Sequence, residues 1–309
     1  MTPAGQNESI PSLVCPACHG ALRLGAGSIQ CQSCQKTFEY EDGFPNLILG
    51  GRFGDEPNAE RTAYEEECNL HTAQHYLLPL FKDLFGGAKR EPRILSLGCG
   101  TGVDVDLLGA AGFDMVGIDC GARSSAWPHR EHRHRLLLAN GRHLPFERGA
   151  FDAVYCGCVF PHVGTVGDSH TVRPDYFDDR RELASEMSRV LRPGGWVLVS
   201  SPNRKFPLDI FHGRTVENPM PRLNRPGDPF LLSFEDYQNL FRPTGCSSFQ
   251  LLPVNGYWGF VRRKKTAKGR LSMLPVDALF KMISQPAFSG LRNSPLNPWL
   301  VVLGKKEAA

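Results

Sequence analysis

At 309 residues, 41% of them hydrophobic, the chain is long enough for one large domain plus a small one, with a sizeable core. Its net charge of +3 is too small to imply a nucleic-acid partner by itself, and no run reaches the ~18 apolar residues of a bilayer span. The opening "MTPAGQNESIPS" lacks the basic start and apolar run of a signal peptide, so ten cysteines point to a reducing, cytoplasmic setting where thiols bind metal or sit buried.

The first predicted unit, residues 1–50, is built on "CPACHG…CQSCQ". Cys15 and Cys18 form one Cys-x-x-Cys pair, Cys31 and Cys34 another, with 12 residues between the pairs. Two such turns facing each other close a tetrahedral site with no open position, which makes the expected metal a structural zinc. So short a segment buries too little surface to fold unaided, and a metal compensates. "KTFEYEDGFPNLI" alternates like a strand and is expected to end in a Gly-Phe-Pro turn. These features resemble the Trm112-like zinc ribbons.

Residues 51–91 read as a linker, "GGRFGDEPNAE", followed by one or two capping helices interrupted near Pro79 and stopped at Gly86-Gly87. Residues 92–309 read as an α/β domain with a parallel, doubly wound sheet. Its predicted strands are "RILSL", "DMVGID", "RLLLA", "FDAVYCG" and "WVLVSSP". "VDVDLLGAAG" is a helix, and "DYFDDRRELASEMSRVL" a longer one stopped by Pro193-Gly194-Gly195. In such sheets ligands bind beyond the carboxyl ends of the strands, which places Gly98–Gly102, Asp119, Asn140 and Cys156–His162 on one rim. Glycines at 98, 100 and 102 let the backbone approach a ligand, and Asp119 can accept from both hydroxyls of a ribose. The loop has neither the dinucleotide spacing nor the Lys-Ser/Thr of a triphosphate loop.

Together "ILSLGCGTG", "VGID", "NGRHLPFERGAFDAVYCGCVFPHV" and "RVLRPGGWVLVSSPN" resemble the class I S-adenosylmethionine-dependent methyltransferases of the ubiquinone/menaquinone type, over about residues 92–202. The resemblance implies a Rossmann-like class I methyltransferase sheet with helices on both faces, preceded here by the zinc ribbon. It implies that Gly98, Cys99, Gly100, Thr101 and Gly102 cradle the methionine part of S-adenosylmethionine and that Asp119 holds its ribose. Asn140, Gly141 and Arg142 would lie by the adenine, and Cys156 and Gly157 would offer backbone groups to the methionine amine. Two positions depart from the family: its strand acid is Ser96 here, and its adenine-side Asp is Asn140. Both lose a charge and keep a hydrogen-bonding side chain, which implies weaker or retuned cofactor binding.

His162 is expected by the reactive methyl, either lining the cofactor or acting as a general base on a hydroxyl. Asp168 and His170 share its loop and either orient it or are simply solvated. Residues 203–232, rich in proline and aromatics, are predicted to form a lid walling the acceptor pocket. There Arg204, Lys205, Arg214, Arg222 and Arg225 outnumber the acids and favour an anionic acceptor, unless the lid is merely solvated. "LSFEDYQNLFRPTG" is a helix with Ser233 as cap and Asp236 completing a capping box. The basic run "VRRKKTAKGR" and the helix after it read as a charged hairpin tip and a core-packing helix before the last strand. The alternative is a peripheral membrane contact through 261–283 or a nucleic-acid patch.

The expected activity is methyl transfer from S-adenosylmethionine to a hydroxyl, less readily a carbon, of a hydrophobic or anionic small molecule. The alternatives are a ribosomal RNA methyltransferase gripping RNA through its zinc ribbon, and a non-catalytic cofactor-binding subunit. The acceptor and oligomeric state stay open.

Overall fold

The computed structural model describes residue 10 and residues 13–25, 27–209, 222–225 and 227–308. The chain opens with four short strands, β1 (Leu22–Leu24), β2 (Ser28–Cys31), β3 (Thr37–Glu41) and β4 (Phe44–Asn46), each antiparallel to the next. The turn expected at Gly-Phe-Pro falls one residue earlier, at Asp42-Gly43, which both take positive φ. Phe44 and Pro45 belong to β4 itself, with Phe44 buried.

Helices α1 (Ala59–Thr72) and α2 (Leu78–Phe85) follow, joined by a wide π-helical turn at Ala73–Leu77. Pro79 therefore sits in the first turn of α2, directly after the wide turn, and the interruption precedes it. The central sheet is built from β5 (Arg93–Leu97), β6 (Asp114–Asp119), β7 (Leu136–Leu138), β8 (Phe151–Gly157) and β9 (Leu191–Pro202), all parallel. Helix α3 (Val103–Ala110) follows β5, and α4 (Tyr176–Val190) precedes β9. Pro193-Gly194-Gly195 does not stop α4, which already ends at Val190. Leu191 pairs with Phe151, and the Pro-Gly-Gly stretch is absorbed as a register shift before Trp196 pairs with Ala153. Pro has no ladder N–H and Gly194 takes a positive φ, so the irregularity falls where both are tolerated.

Two short strands, β10 (Leu208–Asp209) and β11 (Arg222–Leu223), pair apart from the main sheet. Helix α5 (Phe234–Phe241) carries the reciprocal Ser233–Asp236 capping box. After β12 (Cys246–Leu251) come α6 (Val261–Lys264), α7 (Ala267–Ser284) and β13 (Trp299–Lys306), which inserts antiparallel between β9 and β12. The basic run thus lies on α6 and the start of α7, not at a hairpin tip.

The main sheet runs β1-β2-β3-β4-β7-β6-β5-β8-β9-β13-β12. Its order reverses at β5, which leaves a crevice beyond the carboxyl ends of β5 and β8. The cysteine-bearing meander continues this sheet: Asn46 pairs with Leu138, and the Leu47 N–H donates to the Leu138 carbonyl at 2.8 Å. Strand side chains alternate between two cores. Leu95, Val116, Val154 and Val199 pack with α4, α5 and the meander's Ile29 and Cys31. Ile94, Met115, Leu198 and Val301 pack on the other face with α2, α3 and α7. Among the described residues, no helix is long and apolar enough to cross a membrane.

Candidate functional site

The strand-to-helix turn after β5 is held from behind. The Gly98 and Cys99 N–H groups donate to the Ile118 carbonyl at 2.9 and 3.0 Å, and Trp127 Nε1 donates to the Gly100 carbonyl at 2.8 Å. Gly98, Gly100 and Gly102 all take positive φ. At Gly98 nothing larger fits: an added Cβ would stand 2.3 Å from Val159 Cγ2. Asp119, at the end of β6, accepts from the Gly100 N–H at 2.8 Å and the Gly121 N–H at 2.7 Å. Burial raises its carboxyl above the ordinary range against those two bonds and the nearby Arg123. A carboxylate keeps further lone pairs after accepting two bonds, enough for a diol.

Ser96 is not a bare substitution for an acid. Its hydroxyl donates at 2.5 Å to Oδ2 of Asp104, a buried residue in the first turn of α3. Burial pushes the Asp104 carboxyl up to about 6, against hydrogen bonds from Ser96 and the backbone. A buried carboxylate on the facing helix thus stands against Ser96. One signal for it stood in the sequence, an aspartate embedded in the apolar "VDVDLL".

A cavity of about 870 Å³ opens above this turn, within the usual range for small-ligand sites. Gly98, Gly100, Asp119, Asn140, Gly141, Arg142, Gly157, His162 and Asp168 line it. Ser96, Cys99, Thr101, Gly102, Cys156 and His170 are not among its lining residues. Cys99, Thr101 and Cys156 are buried beneath the rim, and burial raises both thiols well above their ordinary range. Asn140 spends its amide internally, donating to the Gly51 carbonyl and accepting from the Arg142 N–H, both at 3.0 Å. Arg142 is paired with Asp179 and Glu182.

His162 packs edge-on to Phe53 and Phe230, and its Nδ1 lies 3.7 Å from Asp168 Oδ1. Burial alone would raise the Asp168 carboxyl. Arg61, bonded to it at 2.7 Å, and His162 instead hold it below the ordinary carboxylate range. The histidine's turn is fixed by Arg180, whose guanidinium donates to the carbonyls of Pro161, Val163, Pro229 and Phe230. His170 packs edge-on against Phe230 with ring centroids 4.7 Å apart.

Sequence reasoning missed most of the outer wall. Gly50–Gly54 of the linker and Arg61, Tyr64, Glu65, Cys68 and Asn69 of α1 line the cavity, as do Trp258, Phe260, Arg263, Met273 and Val276. Ion pairs chain this wall together: Asp55 and Glu65 both grip Arg123, and Arg61 joins Glu65 to Asp168. None of the described residues of 203–232 lines the cavity. In that stretch 210–221, including Arg214, falls outside the described residues. Arg204, Lys205 and Arg222 are paired with Asp236, Glu235 and Asp228, so they present no spare positive charge to an acceptor.

The four cysteines converge. Their Sγ atoms all lie within 4.8 Å of one another, with Cys15–Cys34 at 3.7 Å and Cys18–Cys31 at 3.4 Å. Four sulfurs on a tetrahedral ion at ~2.3 Å would stand about 3.8 Å apart, so the set fits a zinc-sized ion.

Residues 95–199 match the family described as "Methyltransferase domain". A probable S-adenosylmethionine-dependent methyltransferase of Mycolicibacterium smegmatis is 31% identical over 135 residues, covering 40% of this chain and 46% of that protein. A ubiquinone biosynthesis O-methyltransferase of Bordetella avium is 24% identical over 198 residues, covering 60% of this chain and 76% of that one. Among solved structures, a phosphoethanolamine N-methyltransferase of Haemonchus contortus aligns with a TM-score of 0.45 and 16% identity, over 76% of this chain and 53% of that one.

Proposed function

We propose that this chain, a class I methyltransferase fold whose residues 95–199 form a methyltransferase domain, methylates a hydroxyl of a small apolar or anionic acceptor. The observation that carries the reading is one continuous cavity. Its floor is Gly98, Gly100 and Asp119, its apolar wall is Tyr64, Trp258, Phe260, Met273 and Val276, and the His162–Asp168 pair also faces it.

The floor fits S-adenosylmethionine. Gly98 and Gly157 leave bare backbone where a Cβ would strike Val159 and Tyr155, and Asp119 retains acceptor capacity for ribose hydroxyls. When bound, the cofactor supplies a methyl group on a sulfonium, open to in-line displacement. The chain's own residues do the rest. His162 takes the proton of the acceptor hydroxyl, and Asp168, kept ionised by Arg61, stabilises the resulting imidazolium. The aromatic wall excludes water and orients an apolar acceptor. Arg263 lines the same cavity, and among the described residues no carboxylate pairs with it; it suits an acidic substituent on that acceptor. We assign Cys15, Cys18, Cys31 and Cys34 to one structural zinc, closed to substrate because all four ligands come from the chain.

His162→Gln tests the base. The amide keeps the hydrogen bonds but cannot take a proton, so turnover should fall by ~10²–10⁴ while calorimetric affinity for S-adenosylmethionine barely moves. Near-normal turnover at neutral pH would remove His162 as base. A parallel fall in affinity would reduce it to a lining residue.

A further inference from the structure

Helix α7 has two unlike faces. Inward, Met273, Phe280 and Ile283 are buried, and Met273 with Val276 forms part of the cavity wall. Outward, Leu271 is 69% exposed, Leu274 58% and Met282 37%, and Pro275 and Ala278 are exposed beside them. At about 100° per residue these five positions fall within a stripe roughly 100° wide. Lys268 borders the stripe on one side, Arg270 and Lys281 on the other. Phe288, just past the helix, is 43% exposed.

Charge supplies the second observation. Residues 261–288 hold seven bases, and Asp277 is their one acid. Arg262 and Lys265 are drawn to Glu67 and Lys264 to Asp277. Among the described residues, no carboxylate pairs with Arg263, Lys268, Arg270 or Lys281. A helix with large exposed aliphatics down its centre and cations along both margins has the form of an element lying in a lipid interface, the apolar stripe among acyl chains and the cations at anionic headgroups. A nucleic-acid strand would use the cations and leave the leucines in water, so the lipid surface accounts for more of the face.

We propose that α6 and α7 dock the protein on an anionic membrane surface through Leu271, Leu274 and Met282, with Lys268, Arg270 and Lys281 at the headgroups. The reading does not depend on the methyl transfer proposed above.

The test is co-sedimentation of the full chain with vesicles of phosphatidylcholine alone, or of phosphatidylcholine and phosphatidylglycerol in equal parts. Wild type should bind the mixed vesicles, hardly bind the neutral ones, and release at high salt. Leu271→Glu/Leu274→Glu should weaken binding at least about tenfold. Lys268→Glu/Arg270→Glu should abolish the preference for anionic vesicles. Both variants change exposed side chains outside the cavity, so an unaltered melting temperature and unaltered cofactor affinity accompany the expected result. No binding by wild type, or equal binding by the leucine variant, overturns the proposal. So does a dimer in sedimentation that the leucine variant splits, since a second copy would then cover the face. RNA binding that survives the leucine change while vesicles are ignored overturns it equally.

Discussion

Asp104→Asn should stabilise the protein near neutral pH and do little at pH 4.5, because the aspartate is held above its ordinary value inside the fold. Burial carries this carboxyl from 3.8 to about 6. The native state therefore binds the extra proton between those two values, and its stability falls as pH rises through that window. Each factor of ten in proton affinity is worth about 1.4 kcal/mol, so the ionised group costs about 3 kcal/mol at pH 7.5 but about 1 kcal/mol at pH 4.5. Asparagine removes the titration, still accepts from Ser96, and leaves an amide N–H₂ to desolvate at about 1 kcal/mol. The net expectation is a gain of about 2 kcal/mol at pH 7.5 and about zero at pH 4.5. Urea denaturation of the two proteins, paired at each pH so that other groups cancel, measures this difference. A difference that stays constant with pH would refute the reasoning, whatever its sign.

Metal analysis should find about one zinc per chain, and Cys31→Ser should remove most of it; zinc unchanged by that substitution would sink the assignment. Cys31 packs in the same core cluster as the central strands, and Gly50–Gly54 line the cavity, so the variant should also lose cofactor affinity. Gly98→Ala should weaken S-adenosylmethionine binding at least about tenfold, given the positive φ and the clash with Val159. Adding Val159→Ala should restore part of it in calorimetry, whereas full affinity in the single variant would end the cradle reading.

What the sequence disclosed and what it hid divide by range. "RILSL", "DMVGID" and "FDAVYCG" are short, mostly apolar runs buried on both faces, and each is a strand over the residues read. The Ser233–Asp236 box was legible because both partners sit within one turn. The cavity wall was not. Arg61 meets Asp168 across 107 positions and Arg262 meets Glu67 across 195, and no local pattern encodes such pairs. The bases of the proline-rich stretch show the same limit: Arg204 and Lys205 pair with acids of α5 and Arg222 with Asp228, which composition cannot reveal. The outward leucines of α7 were visible as letters, but which face of the helix met the core depended on where the cavity lay.

The pairing of β4 with β7 decides what can be cut from this protein. Trimming the chain to residues 51–309 would strip β7 of the neighbour to which Leu138 is bonded and bare the edge of a long parallel sheet. An unpaired edge of that kind recruits other chains. The truncated domain should therefore express as an aggregating species, whether or not its cofactor residues are all present. Its cysteine-bearing segment acts as the sheet's border, a guard against misassembly that no comparison of isolated domains would assign to it.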